Sequence, residues 1–416
     1  MAASSITGTP AASGLSLNSA TSTIEPPNAG GARAGRIVSL DIIRGAVMVL
    51  MAIDHVRVYS GLPAGGPTPG IFFTRWITNF CAPAFILLAG TAAYLHGRKL
   101  GDRRALARFL VVRGLWLVFL ELTVLRLAWT FNVDWAHYNL AGVIWVIGWC
   151  FVLLAPMVFL PTRVVGAIGI AIIALHNLMD YAHVDLGDGP RAWLGQVLYF
   201  GGPFPGREDG AHLMVLYSIV PWIGVMAAGY ALGAVMTLDP ARRRRICLTL
   251  GIGATLLFVA LRAIDGYGDP RQWEPARQGM PAALRFLATT KYPASLLFLL
   301  MTLGPTIALI PLLDGAHGRV ARTLAMFGRV PFFFYMVHIP LIHLLAVVVS
   351  LLTTGAVEPW LLGNHPAGIG PAPADWVWSL GRLYLVWAIA VAMLYVMCRW
   401  YAEVKQRSGS RLLSYL

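Results

Sequence analysis

The sequence predicts an all-α protein, a polytopic transmembrane helical bundle of about ten spans with both termini in the cytoplasm. Three observations support this prediction. Hydrophobic residues make up 57% of the chain and charged residues only 12%, with a mean hydropathy of +0.67, outside the range of soluble domains. Apolar runs of about 20 residues recur along the chain. Basic residues concentrate in alternate connections between these runs.

The first 35 residues are rich in Ala, Ser, Thr, Gly and Pro, and they lack both a basic start and an apolar centre. This composition is typical of a disordered tail rather than of a signal peptide. We therefore expect a cytoplasmic tail over 1–35, a transmembrane domain over 36–405 and a short cytoplasmic tail over 406–416. The apolar runs predict spans at 37–59, 71–95, 109–129, 139–160, 164–182, 213–236, 246–264, 294–313, 324–349 and 377–400.

The distribution of charge predicts the orientation. With the N-terminus inside, 17 basic residues fall in cytoplasmic segments, including the run Arg242–Arg245, and 6 fall in the opposite loops. The positive-inside rule then places both termini in the cytoplasm. The net charge of +13 reflects this topology. We expect no nucleic-acid partner, because the basic residues lie in short juxtamembrane loops and form no single basic surface.

The first span carries five ionisable residues, although each charge at bilayer depth costs about 2.5 to 3.5 kcal/mol. Asp41 and Arg44 are three residues apart near the cytoplasmic end and can pair on one helix face, so a structural ion pair and a functional role both remain open. His55 lies at the external end, where a histidine can remove a proton or attack an acyl group. The alternative is an interfacial histidine that caps the helix. Asp54 and Arg57 are close enough to tune its charge.

Polar residues also fall in the external half of later spans. Arg75 and Asn79 belong to the second span, and Glu121 lies deep in the third. Glu121 is expected to pair with an arginine of another span, and Arg57, Arg75 and Arg126 are the candidates. Asp180 lies near two histidines of the fifth span, a spacing that is weak evidence for a metal site and favours substrate contact or solvation of the helix end. No bound metal is predicted.

Lys291 and Tyr292 precede the eighth span. A lysine there either snorkels to the interface or binds an anionic group of a substrate. His338 lies between Pro331 and Pro340 in the ninth span, and such breaks in the hydrogen-bond ladder are tolerated where the backbone lines protein or water. We therefore expect His338 near mid-membrane, either beside a polar passage open to both faces or satisfied by a neighbouring helix.

Four stretches resemble the heparan-alpha-glucosaminide N-acetyltransferase-like catalytic family of membrane proteins. The first is Ser39–Gly45 (SLDIIRG), followed by Met51 and the Asp54–His55 pair. The resemblance runs from about residue 36 to the C-terminus. It departs from the family between the first two spans, where a catalytic histidine is expected and residues 60–71 contain none. Either His55 or His338 would replace it, or this branch catalyses a different reaction. The other three stretches are Phe72–Gly90, Thr290–Gly304 and Gly328–His343.

The resemblance implies an acyltransferase in the bacterial inner (cytoplasmic) membrane. Acetyl-CoA would supply an acetyl or short acyl group from the cytoplasm, and an extracytoplasmic glycan or small polar acceptor would receive it. Membrane lipids are expected partners, and a homo-oligomer is possible. A transporter or exporter with a polar central pathway is the main alternative, because the same charges could form a relay. A non-catalytic membrane scaffold is the third.

The predicted site residues fall into three groups. Guanidinium groups near the cytoplasmic mouth are expected to hold the phosphates of CoA, because guanidinium binds phosphate bidentately. The predicted catalytic residues are His55, Asp54 and His338. The predicted substrate-binding residues are Arg57, Arg75, Asn79, Glu121, Asp180, Lys291 and Tyr292. The predicted cofactor-binding residues are Arg36, Asp41, Arg44, Arg98, Arg104 and Arg329.

Overall fold

The computed structural model describes residues 37–181, 190–203, 212–273 and 280–408. The predicted tail over 1–35, Arg36 and residues 409–416 lie outside these ranges. Within them, almost all regular structure is helical, as the sequence predicts. The first half contains α1 (Val38–Tyr59), α2 (Pro69–Ile77), α3 (Cys81–Leu100), α4 (Arg103–Leu120), α5 (Arg126–Thr130), α6 (Val143–Met157), α7 (Thr162–Leu175) and α8 (Leu178–Tyr181).

The second half is also helical, and short irregular turns join several of the helices. A 3₁₀ turn, Thr78–Phe80, joins α2 to α3, and a π turn, Glu121–Leu125, joins α4 to α5. Further turns are Gln196–Phe200 and Pro359–Leu362. The remaining helices are α9 (Pro190–Gly195), α10 (Ile219–Val235), α11 (Pro240–Ile264), α12 (Ala282–Phe286), α13 (Leu296–Leu312), α14 (Arg319–Arg329), α15 (Pro331–Thr354) and α16 (Leu380–Arg407).

Three two-residue strands form a small sheet between the helices. They are β1 (Leu140–Ala141), β2 (Gly202–Pro203) and β3 (Met214–Val215). The order is β1-β3-β2, with β1 parallel to β3 and β2 antiparallel to it. The sheet therefore ties the segment before α6 to the segment before α10.

Membrane-spanning capacity is clear for part of the bundle. Among the described helices, five are long and apolar enough to cross a membrane, and three shorter apolar helices are α6, α10 and α13. The count of about ten spans stays a prediction, as does the cytoplasmic location of the termini. The five long segments are Pro69–Leu100, Thr162–Tyr181, Pro240–Ile264, Pro331–Thr354 and Leu380–Arg407.

The predicted ninth span, 324–349, is divided between two helices, α14 and α15, with the break at the first of its two prolines. The chain breaks at Val330, whose φ of −126° and ψ of 48° are not helical, and α15 starts at Pro331. A proline fits the first position of a helix because the N–H that it lacks would have no intrahelical partner there, and it restricts the residue before it. Pro340 lies inside α15.

Reciprocal glycine contacts hold several helix pairs close together. A Cβ atom on Gly45 of α1 would overlap the backbone carbonyl of Leu324 in α14, and one on Gly328 of α14 would overlap the carbonyl of Asp41 in α1. Small residues let helix backbones approach closely, which favours packing in a bilayer. The same reciprocal arrangement joins α3 to α10 (Gly90, Gly229), α4 to α6 (Gly114, Gly148), α7 to α10 (Gly169, Gly224) and α11 to α13 (Gly251, Gly304).

The first helix lies inside the bundle. It packs against α3, α14, α15 and α16. Asp41 is 5% exposed, and the apolar face is closed around Met48 and Ala52, both 0% exposed. The charged residues of α1 therefore face protein rather than lipid, which removes much of the cost of placing them in an apolar span.

Candidate active site

His55 of α1 and His338 of α15 are in direct contact. Nδ1 of His55 lies 2.6 Å from Nε2 of His338. The ring centroids are 4.8 Å apart with an interplanar angle of 23°, as expected for two rings joined nearly in line by one N–H···N hydrogen bond. The Trp129 ring meets His55 edge-on, with a centroid distance of 4.8 Å. Two residues 283 positions apart thus form one pair.

The second ring nitrogen of His338 faces backbone carbonyls of its own helix. Nδ1 lies 2.7 Å from the oxygen of Tyr335 and 3.1 Å from that of Phe334. A carbonyl oxygen only accepts, so this nitrogen carries the proton and donates. His338 is 0% exposed, and the contacts on both nitrogens fix the orientation of its ring.

Asp54 is bound by two arginines and not by the His55 ring. Oδ1 accepts from Nε of Arg57 at 2.8 Å, and Oδ2 accepts from Nη1 of Arg75 at 3.0 Å. All three side chains are largely buried, with 12% to 16% exposed. The carboxylate therefore ties the end of α1 to α2. Its effect on His55 is electrostatic, while the contact that orients the ring comes from His338.

A cavity of about 30 Å³ lies beside His55. Lys291, from the loop that precedes α13, lines it together with Asp54 and His55. Nζ of Lys291 lies 5.3 Å from the centre of the Tyr292 ring, whose hydroxyl is 3.4 Å from that of Tyr217. A space of this size holds a water-sized molecule between a lysine and a histidine. The structure thus brings several predicted site residues to one place.

Glu121 does not form the interhelical ion pair that the sequence predicts. The residue is 1% exposed, and Oε2 accepts a hydrogen bond of 3.0 Å from the backbone N–H of Ile144 in the first turn of α6. The first N–H groups of a helix lack intrahelical partners, and a carboxylate also interacts favourably with that end of the helix dipole. Arg126, one candidate partner, donates instead to the carbonyl of Tyr138 at 3.1 Å.

Asp180 belongs to a different cavity, of about 720 Å³. Its carboxylate accepts hydrogen bonds of 2.7 Å from Nδ2 of Asn177 and from the hydroxyl of Tyr199. These contacts join α8 to the turn after α9. Asn79 is half-buried in the 3₁₀ turn after α2. Neither residue lines the cavity beside His55.

Comparison with known proteins identifies the family. The family model described as heparan-alpha-glucosaminide N-acetyltransferase, catalytic, matches residues 36–260, more than half of the chain. The chain belongs to this family. The matched segment includes His55 and Asp54, whereas Lys291 and His338 lie beyond it. No curated protein matches the chain.

Membership of the heparan-alpha-glucosaminide N-acetyltransferase catalytic family supports a membrane acetyltransferase-type function. The family is acetyl-CoA-dependent in general. Of the candidates for the CoA site, Arg44 donates from Nη1 to Asp41 at 3.2 Å and to the carbonyl of Gly328 at 3.1 Å. The Asp41–Arg44 contact that their spacing allows is therefore present, while a role in CoA binding stays a prediction. Through Gly328, Arg44 also lies near Arg329. Arg98, Arg104 and Arg329 are exposed, and Arg36 lies outside the described residues.

Two parts of the site could not be found from the sequence. The backbone carbonyl of Tyr335 cannot be recognised from the residue type, because every residue has a backbone carbonyl. Trp129 reaches His55 from α5, and a tryptophan in an apolar segment is by itself typical of core packing or of the interfacial belt. Cys81, which lines the same cavity, is buried and donates to the carbonyl of Val47 at 3.1 Å.

Proposed function

We propose that the protein is an integral membrane acyltransferase that moves an acetyl or short acyl group from cytoplasmic acyl-CoA to an extracytoplasmic carbohydrate or related acceptor. The observation that carries the proposal is the His55–His338 pair beside Lys291, in a chain of an acetyltransferase family. A histidine with one nitrogen held and the other unbonded is suited to proton transfer or nucleophilic attack.

The direct route uses His55 as a general base. Nε2 takes the proton of the acceptor hydroxyl or amine, the acceptor oxygen or nitrogen bonds to the acyl carbon, the carbon–sulfur bond breaks, and CoA leaves as a thiolate that then takes up the proton. In the alternative route, Nε2 attacks the thioester, the carbon–sulfur bond breaks and CoA leaves as a thiolate; the acyl group then passes from Nε2 to the acceptor, whose proton is taken up by the thiolate. In both routes the ammonium of Lys291 stabilises negative charge on the carbonyl oxygen.

The length of α1 supports a route by which the acyl donor reaches His55 from the cytoplasmic end of the helix. Arg44 and His55 are 11 residues apart in one helix, which corresponds to about 16 Å along its axis. A CoA whose phosphates bind near Arg44 and Arg329 would have to extend its pantetheine arm over this distance. The bound phosphates would lie near the cytoplasmic end, and the thioester would lie near His55.

The cavity beside His55 has to enlarge during the reaction. Its volume of about 30 Å³ is too small for a thioester and an acceptor. At His55 the structure therefore shows a small cavity, and not the predicted passage open to both faces. We infer that substrate entry displaces side chains of α3, such as Phe85, or of the loop before α13, which carries Lys291.

Purified full-length protein in liposomes, supplied with radiolabelled acetyl-CoA and with glucosamine or a cell-envelope extract, tests the proposal. We expect saturable CoA binding and transfer of the label to an acceptor. Absence of CoA binding, of thioester hydrolysis and of any labelled acceptor would overturn the proposal and favour the transporter or exporter alternative.

A further inference from the structure

The hydrogen bonds around His338 define the direction of a chain of donors and acceptors. Nδ1 of His338 faces the carbonyl oxygens of Tyr335 and Phe334, so it carries a proton. In a neutral ring, Nε2 is then an acceptor. It lies 2.6 Å from Nδ1 of His55, which must therefore be the donor.

A charged His338 is the competing arrangement, and its surroundings disfavour it. The residue is 0% exposed, and Phe334 and Tyr335 pack against its ring with centroid distances of 5.3 Å and 5.0 Å. Within the described part of the chain, no carboxylate contacts it. A buried cation without a counter-charge is costly, so the neutral form is favoured.

The proton on Nδ1 of His55 leaves Nε2 of that ring with a free electron pair. Nε2 forms no hydrogen bond to any described residue, and His55 lines the cavity that also contains Lys291. We propose that His338 is a positioning residue that keeps the proton of His55 on Nδ1, so that Nε2 is the base or nucleophile. The role in catalysis rests on the proposed function, whereas the proton arrangement does not.

The chain Tyr335 carbonyl, His338, His55 has the same logic as a catalytic triad, with a backbone carbonyl and a second imidazole in the orienting positions. Asp54 lies next to His55 in sequence but is bound to Arg57 and Arg75. The orienting group thus comes from α15, 283 residues away, and lies beyond the segment that the family model matches.

Nitrogen NMR on full-length protein labelled with ¹⁵N in the histidine rings tests the proton arrangement directly, because protonated and bare ring nitrogens resonate far apart. His55→Gln and His338→Gln spectra assign the two residues by subtraction. At neutral pH we expect a protonated Nδ1 and a bare Nε2 on both rings. A bare Nδ1 or a protonated Nε2 on His55 would overturn the proposal, and this measurement needs no variant to be active.

Two substitutions separate positioning from structural support. His338→Met removes the acceptor and should redistribute the proton of His55 between its nitrogens. It should also lower the rate of acetyl-CoA turnover about 10- to 100-fold without changing the KM for acetyl-CoA, by analogy with the loss of a partner that orients a metal-bound histidine. His338→Gln, whose side-chain oxygen can accept from His55, should recover part of the rate.

His365→Gln is the matched control, because His365 is another buried histidine bonded to a backbone carbonyl. It should change neither the His55 signals nor the rate of acetyl-CoA turnover. If turnover occurs but His338→Met leaves the His55 signals and the rate unchanged, the positioning role is wrong while the acyltransferase stands. If the expected proton arrangement is found without any acetyl-CoA turnover, the arrangement stands and the proposed function fails.

Discussion

At the residue scale, the site depends on which partner each ionisable group takes. Asp54 binds Arg57 and Arg75 through separate oxygens, and His55 binds His338. The two sets of contacts are adjacent in sequence but have different roles. The ion pairs neutralise buried charge and tie α1 to α2, whereas the histidine pair leaves one ring nitrogen available for chemistry.

His55→Ala should greatly slow acyl transfer with little change in CoA binding. The loss is expected to be about 10²- to 10⁴-fold in rate, the usual contribution of a positioned acid or base. Initial rates of label transfer and equilibrium CoA binding check this prediction. His317→Ala, at an exposed position in the loop between α13 and α14, is the control and should retain full activity. A His55→Ala protein with normal transfer would remove His55 from the mechanism.

At the element scale, helix contacts made by glycine backbones organise the bundle. On α11, a Cβ at Gly251 would lie 2.6 Å from the backbone nitrogen of Ala308 and 2.7 Å from the carbonyl of Gly304. Gly253, two residues along the same helix, has nothing within 4 Å. The two glycines share an element and differ only in whether α13 faces them.

Gly251→Ala should therefore destabilise the protein by about 1 to 3 kcal/mol, since the added methyl group forces two backbones apart. Gly253→Ala should be neutral or slightly stabilising, because alanine favours helix more than glycine does. Thermal unfolding in one detergent compares the two variants. Equal effects would show that the contact between α11 and α13 is not tight.

A second element-scale prediction concerns the loop between α15 and α16. His365 is 1% exposed, its Nε2 donates to the carbonyl of Trp360 at 3.0 Å, and burial lowers the pKa of its ring from 6.5 to about 4. The unfolded chain protonates this histidine below pH 6.5, while the folded protein resists protonation until about pH 4. Stability from this residue is therefore lost as the pH falls through that window.

Between pH 7 and pH 5 the expected loss is about 2 kcal/mol in the free energy of unfolding. His365→Gln keeps a donor for Trp360 but does not titrate, so its melting temperature should fall less over the same pH change. Melting curves of both proteins in the same detergent at pH 7 and pH 5 check this. Parallel decreases would contradict a role for His365.

At the scale of the whole molecule, the predicted topology places the active end of α1 outside and the Arg242–Arg245 segment inside. Cysteine labelling tests this well, because all four native cysteines are buried. Ala241 and Ala374 are both exposed alanines, and the topology assigns them to opposite sides. They provide a matched pair of positions for new thiols.

In spheroplasts, a membrane-impermeant maleimide should label Ala374→Cys and spare Ala241→Cys, and both should react once the membrane is permeabilised. The reason is that the positive-inside rule retains the arginine run in the cytoplasm. Gel detection of the labelled protein gives the result. Labelling of both positions in intact spheroplasts, or of Ala241→Cys alone, would contradict the predicted orientation.

The composition and the spacing of apolar runs were enough to predict a helical membrane protein and to nominate His55, Asp54 and His338, because a polar residue in an apolar helix stands out without any structure. Helical periodicity also predicted the Asp41–Arg44 pair, which needs one helix only. The prolines of the ninth span predicted breaks, but a proline is compatible both with a kink and with a new helix start, so the sequence did not decide that α15 begins at Pro331.

The tertiary structure alone decided which groups meet across helices. It brought Arg75 into contact with Asp54, the N-terminus of α6 into contact with Glu121, and His338 into contact with His55. Periodicity tells which face a residue occupies on its own helix, but not which neighbour that face contacts. In a bundle where apolar faces look alike, the pairing of helices follows from close backbone packing at small residues, and the active-site contacts follow from that pairing.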